Sequence, residues 1–116
     1  MTVRTNSHRK LLALDLDGTT VDDHGQISDA TAASLRLARE KGAAICFVTG
    51  RSEFEVLSLE PRFPYADYLV VDTGAKITAL ATGEVLLHEC LDSRAAEIVI
   101  QYFLRKNRLL HIKAGR

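Results

Sequence analysis

Two aspartates two positions apart, Asp15 and Asp17, close an apolar run and are followed at once by Gly18 and Thr19. Carboxylates this close repel each other, so the pair favours a bound cation or a shared proton. A hard, oxygen-rich set of ligands suits magnesium, with Asp15 and Asp17 as the candidate metal residues. Magnesium would keep Asp15 ionised and offset the charge of an incoming phosphate. Asp15 could then attack phosphorus and form an aspartyl-phosphate. Asp17 could protonate the leaving oxygen and later activate water. Gly18 lets the backbone turn close to a phosphate, whose oxygens exposed N–H groups can hold. Thr49-Gly50-Arg51 closes the next apolar run. There Thr49 adds a hydroxyl donor opposite the nucleophile, and Gly50 stands beside it as a second phosphate-binding candidate.

Other readings of these residues compete. Asp-x-Asp-Gly can open a calcium loop, but that loop wants Gly at its sixth position and Glu at its twelfth. Here those places hold Thr20 and Gln26, and a strand rather than a helix precedes them. Asp-Gly can also be a plain turn. That reading weakens once Thr49-Gly50-Arg51 falls at the end of the next apolar run. Arg51 is open between a solvated residue at a helix start and a phosphate ligand. Asp22, Asp23 and Asp72 read as loop and turn residues.

The elements that must position this chemistry follow from the apolar pattern. Residues 10–16, 43–48 and 68–72 read as buried strands. Between them, Ser28 can cap a helix running to about Lys41 with Gly42 at its terminus, and Ser52 can start a helix that Pro61 ends. Ala30, Ala33, Leu37 and Ala38 are expected to face the sheet. Residues 76–80 and 84–88 flank Ala81-Thr82-Gly83 as a hairpin. Asp92 or Ser93 caps a helix to about Asn107, with Ile98, Val99, Tyr102 and Phe103 on its apolar face. Residues 109–112 read as a new strand, and residues 1–9 as a flexible leader. Strands alternating with helices predict an α/β fold with a parallel sheet, whose ligands sit beyond the carboxyl ends of the strands. Both polar motifs fall there.

Composition narrows the function classes. The 116 residues are 47% hydrophobic and 26% charged, within the range of globular domains. Fifteen basic and fifteen acidic residues balance, which leaves no electrostatic footprint for nucleic acid or an anionic membrane. No apolar run approaches the roughly 18 residues of a membrane span, and a cytoplasmic location is expected. Cys46 reads as a small buried apolar residue, and Cys46 and Cys90 share no spacing pattern of a disulfide framework or zinc site. The four histidines lack i, i+4 pairing.

Asp15-Leu16-Asp17-Gly18-Thr19 and Phe47-Val48-Thr49-Gly50-Arg51 resemble the first two motifs of the haloacid dehalogenase superfamily of phosphohydrolases. The Thr-Gly-Arg form is similar to the Cof-type subgroup, which includes sugar-phosphate phosphatases. In that subgroup the third strand ends in Asn-Gly-Ala; here Thr73-Gly74-Ala75 stands in its place. The resemblance implies Asp15 as nucleophile and metal ligand, and Asp17 as acid/base with its carbonyl on the metal. It implies Thr49 as phosphate ligand, and magnesium as cofactor. The fold it implies is a partial Rossmann-like parallel sheet with a β-hairpin and the start of a cap domain. Residues 10–88 would be the N-terminal part of the core and residues 89–116 the beginning of a truncated cap.

A third-motif lysine and a later acidic cluster have no counterpart in these residues, with Lys106 and Lys113 placed in the cap. The expected function is therefore a phosphatase acting on a small phosphorylated metabolite, a sugar phosphate among the candidates. Whether this stretch turns over by itself stays open. A phosphomutase on the same core, and a non-catalytic remnant binding phosphate or a partner, are the alternatives. Apolar surface on the hairpin and last helix could support self-association.

Overall fold

Three short apolar runs form parallel strands joined by helical crossovers, with the first of them at the edge of the sheet. The computed structural model of the protein describes residues 10–59 and 65–114. In chain order the elements are β1 (Leu11–Asp15), α1 (Asp29–Glu40), β2 (Ala44–Val48), α2 (Glu53–Leu57) and β3 (Tyr68–Val71). A short turn with left-handed backbone (Asp72–Gly74) then leads to β4 (Lys76–Ala79), β5 (Glu84–His88) and α3 (Ser93–Arg105). The strands lie in the order β1-β2-β3-β4-β5. The first three are parallel, with Leu11 opposite Ala44 and Cys46 opposite Tyr68. The last two run antiparallel as a hairpin with an irregularity between Ile77 and Thr78. The fold is thus mixed α/β, parallel at its start.

Helix caps fall where the sequence places them. The Ser28 hydroxyl accepts the Thr31 N–H at 3.1 Å. Ser52 and Glu55 form a reciprocal capping box. The Asp92 carboxylate accepts the Arg94 and Ala95 N–H groups. Pro61, expected to end α2, lies outside the described residues, as does the expected leader.

The core is formed by Leu16, Val21, Leu35, Ile45, Phe47, Val56, Leu69 and Val71. Cys46 is buried in β2, and burial raises its thiol pKa, as suits a packing residue.

Three expectations are corrected. Residues 10–16 do not form a buried strand: β1 lies at the edge of the sheet, with Leu11, Ala13 and Asp15 exposed. On α1 the buried residue is Leu35, while Leu37 is half exposed. The two are about 200° apart around a helix of 3.6 residues per turn, so they cannot share a face. Ala30 and Ala33 are exposed with Leu37, whereas Ala38, about 60° from Leu35 around the helix, is half-buried on the inward side. Residues 109–112 form no strand. No described strand offers them hydrogen bonds, and Leu109 and Ile112 are exposed.

Candidate active site

Asp15 is the last residue of β1 and pairs in register with Val48, the last residue of β2. The parallel strands therefore bring Asp15 and Thr49 to the same edge of the sheet. The loop after β1 is tied down by its own backbone. The Leu16 carbonyl accepts the N–H groups of Thr19, Thr20 and Val21, and Gly18 N–H donates to the Val21 carbonyl at 3.1 Å. Thr20 Oγ1 donates to the Asp15 carbonyl at 2.6 Å. Gly18 has φ +72°, with nothing within 4 Å of where a Cβ would stand. Glycine is used there for its left-handed backbone and not for space.

The second loop is equally fixed. Thr49 is buried, its N–H donates to the Val70 carbonyl at 2.9 Å, and its own carbonyl accepts the Thr73 N–H at 3.3 Å. Thr49 Oγ1 accepts the Arg51 N–H at 3.1 Å, so the hydroxyl hydrogen is left to donate elsewhere. A Cβ on Gly50 would meet Thr73 Oγ1 at 3.6 Å, an ordinary contact. Asp72 N–H donates to the Arg51 carbonyl at 2.8 Å. The ends of β2 and β3 are therefore stitched together around Arg51.

The side chains divide into engaged and free. Asp17 is gripped by Arg51 through two hydrogen bonds, Nε to Oδ2 at 2.9 Å and Nη2 to Oδ1 at 2.6 Å. The hydrogen bonds from Arg51 hold the Asp17 carboxyl below the usual carboxylate range. The Asp15 carboxylate has no hydrogen-bond or ion-pair partner among the described residues. Asp22 accepts the N–H groups of His24 and Gln26, the turn role expected of it, and these bonds lower its pKa.

The structure supplies what the sequence left open or misplaced. Arg51 stands on Asp17. Lys113, expected to lie away from the core strand ends, has its ammonium 3.2 Å from Asp72 Oδ1, 3.5 Å from Glu55 Oε2 and 3.5 Å from the Gly50 carbonyl. Between that segment and the strand ends lies a cavity of about 590 Å³, with Gly50, Asp72 and Thr73 on one side and Ile112 and Lys113 on the other. The signal for Arg51 was its place two residues after Thr49 on a loop facing two carboxylates. No local pattern marks Lys113, 62 positions further on.

Asp72 and Thr73 both adopt left-handed backbone, at φ 51° and 57°. Asp tolerates this conformation, whereas a β-branched threonine does so only under strain.

The parallel strands β1 and β2 bring Asp15, Asp17 and Thr49 to their carboxyl ends. The chain belongs to the haloacid dehalogenase-like hydrolases, whose family profile matches residues 12–114. It is 29% identical over 103 residues to HMP-PP phosphatase of Cronobacter sakazakii, covering 89% of this chain and 38% of the relative. It is 28% identical over 106 residues to phosphatase YwpJ of Bacillus subtilis, covering 91% and 37%. A solved haloacid dehalogenase-like hydrolase from B. subtilis superposes with a TM-score of 0.75 at 31% identity, over 84% of this chain and 34% of that one. The chain thus spans little more than a third of the length of these relatives.

Proposed function

We propose that this chain carries the N-terminal part of the active site of a phosphatase that hydrolyses a small phosphorylated metabolite through an aspartyl-phosphate. A sugar phosphate is a candidate substrate. The observation that carries the reading is the convergence of Asp15, Asp17 and Thr49 beyond the ends of β1 and β2. The similarity to proteins named as phosphatases supports it. In this division residues 10–88 belong to the catalytic core and residues 89–116 open a cap. A cytoplasmic location belongs to the proposal; no described helix is long and apolar enough to cross a membrane. The exposed apolar residues of α3, Ile98, Tyr102 and Leu104 among them, suit self-association.

The residues present fit magnesium. Asp15 offers a carboxylate with no protein partner among the described residues, and the Asp17 carbonyl is a second hard oxygen. No group of three or more His, Cys, Asp or Glu converges among the described residues, so water would fill much of the shell. Bound there, magnesium would supply charge neutralisation between Asp15 and a phosphate.

The chain's own residues then divide the work. An Asp15 carboxylate oxygen attacks phosphorus, and the bond to the leaving oxygen breaks as that oxygen takes a proton from Asp17, which can carry one only when it is released from Arg51. The Thr49 hydroxyl and the turn at Gly18 hold the phosphate oxygens as charge builds on them. Asp17 then takes a proton from water, which attacks phosphorus and restores Asp15. In a phosphomutase a substrate hydroxyl would take the place of that water.

The test is release of inorganic phosphate from sugar phosphates by the full-length protein and its Asp15→Asn variant. Removing a nucleophile should lower turnover by about a thousandfold or more. Unchanged turnover in Asp15→Asn would refute the reading. Phosphoryl transfer between substrate hydroxyls without phosphate release would favour the mutase, and no turnover of any substrate would favour the remnant.

A further inference from the structure

Arg51 has a backbone fixed from both sides and a side chain that reaches across to the neighbouring loop. Its N–H donates to Thr49 Oγ1, its carbonyl accepts the Asp72 N–H, and its guanidinium takes both oxygens of Asp17. That fork geometry is the one by which arginine recognises carboxylate and phosphate alike. The pair is open to water: the side chains of Arg51 and Asp17 are 37% and 48% exposed. An ion pair this exposed contributes little net stability, so exchanging one anion for another costs little.

The surrounding charges make such an exchange useful. Asp15 and Asp17 present two carboxylates to any phosphate that approaches the strand ends. Lys113 is engaged with Asp72 and Glu55, and Lys76 with Glu53. Among the described residues, Arg51 is the cation that directly contacts the Asp15–Asp17 loop. While both Asp17 oxygens are committed to the guanidinium, neither is directed at a leaving group.

We propose that Arg51 is an anion ligand that exchanges the Asp17 carboxylate for phosphate oxygens of the incoming substrate, freeing Asp17 as the phosphate is bound. The proposal rests on the phosphatase reading above and adds to it a residue that links substrate binding to the release of Asp17. No bond is made or broken; two hydrogen bonds change acceptor.

A double-mutant cycle tests it, with inorganic phosphate as the probe and titration calorimetry of the full-length protein at fixed magnesium as the readout. Arg51→Ala should weaken phosphate binding, and Asp17→Asn should tighten it by freeing the guanidinium. Removing the Asp17 charge also relieves simple repulsion of the anion, and that part persists without Arg51. The decisive quantity is therefore the coupling: the gain from Asp17→Asn should be about fivefold or more larger with Arg51 present than in the Arg51→Ala background. Arg51→Lys keeps the charge but not the fork and should recover only part of the affinity. Equal gains in both backgrounds, or no loss of phosphate binding in Arg51→Ala, would overturn the exchange. If Asp15→Asn abolishes turnover while the cycle is additive, the exchange fails and the phosphatase reading stands. If Asp15→Asn turns over normally, that reading fails whatever the cycle shows.

Discussion

The stretch from β1 to β3 and the stretch from β4 to α3 are both rich in apolar residues, yet they bury them very differently. All eight residues of the core cluster come from the first stretch. Neither β5 nor α3 contains a buried residue, although α3 carries Ile98, Val99, Tyr102, Phe103 and Leu104. The difference lies in what faces each element. Parallel strands joined by crossovers bring their own helices back onto the sheet, whereas a hairpin at a sheet edge brings nothing with it. Amphipathic pattern sets which residues could be buried; an opposing layer decides which are.

The largest expected effect contrasts two phenylalanines. Phe47 is fully buried and Phe103 is 36% exposed. Phe47→Ala should cost about 3–5 kcal/mol in chemical denaturation, the usual loss for a buried aromatic ring. Phe103→Ala should cost under about 1 kcal/mol. Equal losses would mean that α3 is covered.

A smaller effect tests how the two stretches are joined. Lys76 of β4 pairs with Glu53 of α2, and Thr78 Oγ1 donates to the same carboxylate at 2.9 Å. Lys76 is the main cause of the lowered Glu53 pKa. Lys76→Met should cost about 2 kcal/mol, as for a hydrogen bond to a charged group, and should raise that pKa. An unchanged Glu53 titration by NMR would show that the pair does not hold in solution.

Thr73 sits where the two stretches meet, at φ 57° and ψ 34°. Asparagine accepts that backbone more readily than a β-branched residue. Thr73→Asn should therefore stabilise the protein by about 1 kcal/mol, read as a raised denaturation midpoint. A loss of stability would mean that the threonine side chain contributes more than its backbone costs.

The smallest effect concerns Glu55, whose pKa is lowered from 4.5 to about 2 by hydrogen bonds from the Ser52 hydroxyl and N–H, with a further contribution from Lys113. Because the folded value lies below the unfolded one, the stabilisation is fully present above pH 4.5. It is lost as pH falls through about 2. Ser52→Ala should raise the Glu55 midpoint seen by NMR more than Lys113→Ala does. The reverse order would make the segment around residue 113 the dominant partner.

Much of this architecture is legible in the sequence where local rules suffice. Ser28, Ser52 and Asp92 cap their helices through contacts only three residues long. Asp15 and Thr49 reach one edge because parallel pairing follows from the strand–helix–strand order. What local rules miss depends on distant partners. Leu35 faces inward because the sheet selects one side of α1. Residues 109–112 lack the neighbour that would make them a strand, and the contacts of Arg51 and Lys113 cross 34 and 63 positions to Asp17 and Gly50.

Asp15, as proposed, takes the phosphoryl group, and covalent trapping would capture it there. The full-length protein would be mixed with a phosphate-labelled sugar phosphate, quenched in acid within milliseconds and digested for peptide mapping. Label is expected on the peptide containing Asp15 and is lost in Asp15→Asn. Label on another residue, or phosphate release with no labelled peptide at any quench time and unaltered by Asp15→Asn, would contradict it.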